Sequence, residues 1–372
     1  SYNKDENTLY AAKLIVSRPL WGGNFSFGGE YTYTDRVNTY VNYQGILADD
    51  DSNIEESAAS AFLEYARSFG KLRAQVGVRY EHITSDYYED DIRVDGQSRT
   101  YDNVFPTVAL SLPVGKAQFS LSYTGSIERP SYWDLRSNVT YANRYTYESG
   151  NPLLQPSLIN RLSLDASWKW IYFNARYTHT KDVMVQTSAA YSEDDPTITL
   201  LIHDNKYNLD NINATLSFSP VISVWSPRLT LMYLQQWYKV DMPNGKRKNF
   251  NNPIGSFTWN NNFRLPLGFM LDVDFFLQTT GEQENYHIAK TVWSADFGLR
   301  KTFFNERFSL QLQATNLFNS KEYDGFVYSG NRILGLDQQS RRRFTLTLRY
   351  KFNATKSKYK GTGAGQEQRS RM

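Results

Sequence analysis

The chain has 372 residues, no cysteine and a formal net charge of +3 at neutral pH. Disulfides, thiolate metal sites and a cysteine nucleophile are therefore excluded, and no global basic field points to nucleic acid. No apolar run is long enough for a transmembrane helix, but the low mean hydropathy of −0.57 is also what the alternating strands of a membrane barrel average to.

The chain opens at Ser1 without a Met and without a signal-like segment. Either a signal has been removed or this is a piece of a longer protein. From TLYAAKLIVS (8–17) and NFSFGGEYTY (24–33) onward the hydrophobic period is two. In LRAQVGVRYEH, Leu72, Ala74, Val76, Val78 and Tyr80 alternate with Arg73, Gln75, Arg79 and Glu81. NVFPTVALSL follows, then AQFSLSYTG, where Ala117, Phe119, Leu121 and Tyr123 oppose Gln118, Ser120, Ser122 and Thr124. The pattern returns in RLSLDASWKW, IYFNARYT, NINATLSF, WSADFGL, RFSLQLQA and finally RFTLTLRYKF. About fifteen such segments occur, many near ten residues, which is the length that crosses a bilayer at a tilt.

The connections alternate strictly. Short ones fall near 18–23, 69–71, 113–116, 168–171, 219–227, 265–268 and 304–306. Long ones fall near 35–57, 85–99, 128–157, 185–204, 240–253, 279–289 and 319–340. Tight turns at one rim and long loops at the other are the signature of an antiparallel up-and-down transmembrane β-barrel. A soluble sandwich or propeller is the competing all-β reading.

The polar face carries Glu64, Arg73, Arg79, Glu81, Asp165, Lys169, Arg176, Asp272, Asp274, Arg300, Arg349 and Lys351, which suits a watery lumen. Tyr80, Tyr123, Trp168, Trp170, Trp225, Trp237, Phe303 and Phe304 stand near segment ends, as interfacial girdles do. With short turns in the periplasm, both the first and the last strand descend. An odd set of strands beginning outside then implies at least one more upstream, since bacterial barrels are normally even. A miscounted weak segment is the alternative. The expected organisation is barrel over 1–352 and a basic, flexible periplasmic tail over 353–372, with Lys356, Lys358, Lys360, Arg369 and Arg371.

Between two of these strands lies SYWDLRSNVTYANRYTY, closed by ESGNPLLQPS (148–157). Gly and Pro fix the return into the strand from Ser157, because Pro cannot donate to a ladder and restricts its neighbour. Tyr132, Trp133, Tyr141, Tyr145 and Tyr147 either stack on a sugar or flat ligand or pack the loop against its neighbours. Arg341, Arg342 and Arg343, at the outer end of the last strand, are candidates for bridging lipopolysaccharide phosphates, or line the lumen. His82, His179, His203 and His287 lack zinc-helix spacing. The acidic runs Asp49–Asp51, Glu89–Asp91 and Glu193–Asp195 suit calcium or simple solvation. No Gly-x-Ser-x-Gly elbow is present, and GTGAG (361–365) lacks the Lys-Ser/Thr of a phosphate loop. Nothing points to an enzyme or to a cofactor.

Two motifs carry a family resemblance. LQATNLFNSKEY (312–323) resembles the Asn-Leu-Phe-Asp/Asn-x-x-Tyr signature near the end of TonB-dependent receptors. IERPSYWDL (127–135) with YTYESGNPLLQPS (145–157) resembles the Arg-Pro-Ser-Tyr…Gly-Asn-Pro block of that superfamily, with Ser157 where Glu is common. The closing FTLTLRYKF and its basic tail resemble a branch of outer-membrane β-barrel proteins. The terminal aromatic, Phe352, matches the assembly signal of that class, although the residues after it depart from the usual strict C-terminus. The resemblance implies a 22-stranded barrel in the outer membrane of a Gram-negative bacterium, plugged by an N-terminal domain and importing a ligand with TonB energy. About seven strands and the plug would then precede Ser1, which makes the strand total even. It also implies lipid, lipopolysaccharide and the TonB complex as partners, together with the N-terminal half of the same barrel or a partner lipoprotein. A structural or adhesive barrel, binding partners through its loops without transport, is the alternative.

Overall fold

The computed structural model describes residues 2–43, 49–192, 195, 197–242, 245–304, 307–329, 332–352, 368 and 371. Each alternating segment forms a strand, because period two places its apolar side chains on one face and its polar ones on the other. The strands in chain order are β1 (Tyr2–Leu20), β2 (Gly23–Val41), β3 (Asp50–Phe69), β4 (Leu72–Glu89) and β5 (Arg99–Val114). Next come β6 (Ala117–Glu128), β7 (Ser157–Trp168), β8 (Ile171–Lys181), β9 (Leu209–Phe218) and β10 (Trp225–Asp241). The series closes with β11 (Ile254–Leu265), β12 (Phe269–Gln278), β13 (Val292–Phe303), β14 (Phe308–Thr315) and β15 (Arg343–Tyr350).

Every strand pairs antiparallel with its neighbour in sequence, the order of an up-and-down barrel wall. The remaining two of the sheet's 17 strands, Ile92–Arg93 and Arg247–Phe250, widen the tips of β4 and β10. Among the described residues β1 pairs with β2 alone and β15 with β14 alone, so each leaves one ladder edge unmatched.

Backbone geometry explains the tight rim. Trp21 (φ 50) and Gly22 (φ 73) form a two-residue hairpin loop of the left-handed kind that matches strand twist. Lys169 also has positive φ and sits in the turn between β7 and β8. It was expected on the polar strand face, and the turn places it outside the ladder.

The outward face is apolar and bare: Phe27, Leu63, Val76, Val78, Leu110, Phe119, Leu121, Leu162 and Leu164 are all exposed. A continuous apolar surface of this extent requires lipid rather than water. Exposed Trp21, Trp168, Trp170 and Phe304 ring the tight-turn rim, and Tyr80, Tyr177 and Trp237 lie toward the loop rim.

The long connections near 35–57 and 85–99 are shorter than expected, because the ladders continue through much of them. Asp35 faces Glu55, and Asn38 faces Ser52. Beyond the lipid nothing demands apolar outward side chains, so the sequence alternation fades while the hydrogen-bonded pairing persists.

The buried apolar residues lie beneath the loops, as Val183, Val185, Leu209, Tyr238, Val240 and Phe250 show. Here the loops form sheets of their own. Val139–Asn143 and Thr146–Ser149 join the hairpin Met184–Ala190/Thr199–Asn205, and Gly281–Gln283 with Tyr286–Ile288 joins Glu322–Ser329/Arg332–Gln339. The hydroxyl of Ser188 donates to the Ser329 carbonyl and Arg332 to Thr199, tying the two small sheets together. Of the segment 353–372 only Gln368 and Arg371 are described, and both are buried. GTGAG, Lys356, Lys358, Lys360 and Arg369 lie outside the described residues, as do Glu193 and Asp194.

Candidate functional site

Inward-facing residues of β1 to β6 line a concave hollow of about 440 Å³. Its wall is charged. Lys13 Nζ lies 3.2 Å from Glu30, and Glu81 accepts from Arg79 Nε at 2.5 Å and from the Arg129 guanidinium. Glu81 and Arg129 are almost wholly buried, so their pairing offsets the desolvation that each charge would otherwise suffer.

Arg129 opens the long loop, and the residues after it fold back onto the wall. The Tyr132 hydroxyl donates to Glu56 at 3.3 Å, and burial pushes the phenol pKa up to about 12. Ser131 and Asp134 form a local turn in which Ser131 Oγ donates to Asp134 Oδ2 at 2.6 Å and the Asp134 amide donates back to Ser131 Oγ at 3.1 Å.

The Gly-Asn-Pro return locks against this turn. A Cβ at Gly150 would stand 2.4 Å from the Arg136 carbonyl oxygen and 2.8 Å from that of Asp134, so only glycine fits. The Asn151 amide donates to the Asp134 carbonyl at 2.6 Å, and its side chain donates to the His203 carbonyl at 3.0 Å. Arg99 reaches the carbonyls of Pro152 and Leu154, and the Leu154 side chain is buried.

His203 Nδ1 lies 3.1 Å from Asp134. That hydrogen bond raises the His203 pKa above its ordinary value despite burial. Burial alone would push Asp134 up, but the bonds from His203 and Ser131 outweigh it and lower its pKa.

The five aromatic candidates separate into two sets. Tyr132 is fully buried, and Tyr147 is buried edge-on to Tyr191 at 4.6 Å between ring centres. Trp133, Tyr141 and Tyr145 are exposed. The Arg136 guanidinium lies 3.4 Å from the centre of the Trp133 ring, and burial lowers its pKa to about 10.

The second motif is also a built turn. Asn316 is buried with φ 50; its amide donates to Asp296 at 2.7 Å, and its side-chain oxygen accepts from the amides of Ser320 and Lys321. Its side-chain nitrogen donates to the Ser340 carbonyl, and Asn319 accepts from the Arg342 amide at 3.0 Å. Arg341, Arg342 and Arg343 are exposed beyond this turn, Arg342 with its guanidinium toward Phe344.

Two features escaped sequence reasoning. Glu56 fell in an expected loop, yet it is an inward residue of β3. Each histidine also faces a carboxylate: His82 with Asp102, His179 with Asp210, His203 with Asp134 and His287 with Glu282. The partners of His82, His179 and His203 are distant in sequence, and His287 meets Glu282 across the turn of a small hairpin, so zinc-type spacing rules could not have found them.

The model of the Outer membrane protein beta-barrel family matches residues 1–350. No curated protein matches the sequence. Among solved structures, the ferric-catecholate import receptor Fiu from E. coli K12 matches with TM-score 0.62 and 13% identity, over 94% of this chain and 55% of that one. The FrpB iron transporter from Neisseria meningitidis gives TM-score 0.63 and 14% identity, over 94% and 56%. The copper transporter OprC gives 0.65 and 9%, over 94% and 57%. At such identities the likeness is one of fold. This chain spans little more than half the length of each of these structures.

Proposed function

This chain belongs to the outer membrane protein beta-barrel family, and from that membership we propose that it is the barrel portion of a receptor-transporter importing a ligand across the outer membrane with TonB-derived energy. The observation that carries this reading is the wall: fifteen antiparallel strands, with a ladder edge on β1 and on β15 that has no partner strand among the described residues, and a charged, concave inner face. An odd number of strands with two unmatched edges fits a 22-stranded barrel whose other strands and plug are supplied by an N-terminal portion. A charged inner face suits contact with a polar plug and a polar solute.

Trp133, Tyr141 and Tyr145 are the ligand-contact candidates, since each presents an exposed ring at the loop rim suited to stacking on a glycan or a flat chelate. Arg341, Arg342 and Arg343, all exposed, are the candidates for bridging lipopolysaccharide phosphates, which guanidinium groups suit. The test is the intact mass and N-terminal sequence of the protein extracted from its native outer membrane. A longer chain carrying a plug and a TonB-contacting segment is expected. A mature chain starting at Ser1, with no partner supplying the missing strands, would overturn the transporter and leave an adhesive barrel.

A further inference from the structure

Where the strand Arg247–Phe250 widens the tip of β10, the outside of the wall carries a hollow of about 640 Å³ lined by Lys206, Tyr207, Trp237, Lys239, Asn249 and Asn251. Its side of the wall follows from strand parity. Gln236, Tyr238 and Val240 are buried beneath the loops, so Trp237 and Lys239, which alternate with them and are exposed, face outward. Its height follows from strand rise. From Trp225 at the tight rim to Trp237, about 3.3 Å per residue at a tilt of about 40° gives roughly 30 Å, just past an apolar band about 25 Å tall. Leu231 and Tyr233, exposed on the same face, lie below the hollow and within that band.

The lining is amphipathic. Asn249 stands opposite Lys239 across the ladder, and the Tyr207 hydroxyl donates to Asp241 at 2.6 Å, which orients its ring. Lys206 is paired with Asp204 at 2.8 Å. Two carboxylates also reach the lining, and both have partners. Asp210 accepts from the Tyr177 hydroxyl at 2.5 Å and faces His179 Nδ1 at 2.8 Å, and Asp182 lies 3.8 Å from Lys181. Among the described residues, Lys239 is in no ion pair and the Trp237 indole N–H in no hydrogen bond. An interfacial girdle needs only aromatic rings; it does not require a hollow with an ammonium and two amides beside them. Aromatic faces stack on sugars, amides pair with hydroxyls, and an ammonium pairs with phosphate.

We propose that this hollow binds the phosphorylated sugar headgroup of an outer-leaflet glycolipid. Trp237 and Tyr207 lie against the sugar, Lys239 meets a phosphate, and the acyl chains descend over Leu231 and Tyr233. The occupant is a lipid because the hollow opens directly above the apolar face, which a free glycan would leave uncovered. The site is separate from the three arginines of β15, and it stands whether or not the barrel transports.

The test uses the full-length protein with photoreactive benzoylphenylalanine incorporated in place of Asn249, reconstituted in phosphatidylethanolamine vesicles with and without lipopolysaccharide. Irradiation is expected to give a covalent lipopolysaccharide adduct, read by gel shift and mass. Heat-modified gel migration reports whether each variant is folded. At subsaturating lipid, Lys239→Ala should lower the adduct yield about ten-fold, the scale of one charge-assisted hydrogen bond. Trp237→Ala should lower it about three-fold or more, and Arg342→Ala should leave it unchanged. Yields indifferent to Lys239→Ala and Trp237→Ala in folded protein would overturn the proposal. So would an equal yield of phospholipid adduct without lipopolysaccharide, or a discrete protein adduct in native membranes in place of the lipid. De-acylated lipopolysaccharide competing as well as the intact lipid would also overturn it, since the site would then read a free glycan. None of these failures touches the transporter reading, which is tested on the N-terminal side.

Discussion

Leu121→Arg tests which face meets lipid. Leu121 is exposed and pairs with Leu110 on β5 and Leu164 on β7, so it sits within a row of outward leucines. It lies a few residues from the tight-turn end of β6. At a rise of about 3.3 Å per residue and a tilt of about 40°, that is roughly 10 Å into an apolar band about 25 Å tall. A cation there is expected to cost about 2–4 kcal/mol. The adjacent Ser120 faces inward and pairs with Ser111 and Asp165. Ser120→Arg therefore places a cation opposite a carboxylate in a wet interior, and should change stability by less than about 1 kcal/mol. The assay is guanidinium unfolding of the full-length protein in lipid vesicles, followed by tryptophan fluorescence, comparing midpoints at equal slope. Equal costs at the two positions, or a larger cost at Ser120, would refute the assignment of faces.

Gly150→Ala should unseat the loop return through its clash with the Arg136 and Asp134 carbonyls, costing about 1–3 kcal/mol; faster proteolysis of residues 137–149 is the readout, and unchanged proteolysis would count against the lock. Glu81→Gln removes the carboxylate that holds buried Arg129 and should destabilise by about 3 kcal/mol, measured by the same unfolding titration; a loss within experimental error would contradict a structural role for the pair. The His203–Asp134 contact carries a pH signature. The raised His203 pKa makes its contribution complete below 6.5, its ordinary value, and lost as pH rises through the raised one. The lowered Asp134 pKa makes its contribution complete above 3.8 and lost as pH falls through the lowered value. Hydrogen exchange in residues 150–154, corrected for intrinsic rates, should be slowest between these limits and quicken above them, and His203→Gln should abolish that pH dependence.

Much of the wall was legible because a barrel strand is a local object. The alternation of Phe119, Leu121 and Tyr123 against Ser120 and Ser122 needs no knowledge of its partners to define a strand with one apolar face. The strict order of short and long connections likewise fixed which strands are neighbours. The same reasoning misplaced the upper ends of β2, β3 and β4, where pairing outlasts the lipid and side-chain alternation is no longer enforced.

The site was less legible, for a physical reason. Arg-Pro-Ser-Tyr and Gly-Asn-Pro can be spotted as motifs, but their effect arises only when Gly150 closes on Asp134 and Arg99 reaches Leu154. Tyr132 and Trp133 are adjacent aromatics on one loop, yet one is sealed against Glu56 and the other faces solvent. The sequence by itself determined the fold class, the strand order and the apolar face, since each follows from the period of side chains along a single strand. Only the tertiary structure decided which charges meet, as Glu81 with Arg129 and Asp134 with His203, because those contacts depend on where the folded wall and its loops bring residues far apart in the chain.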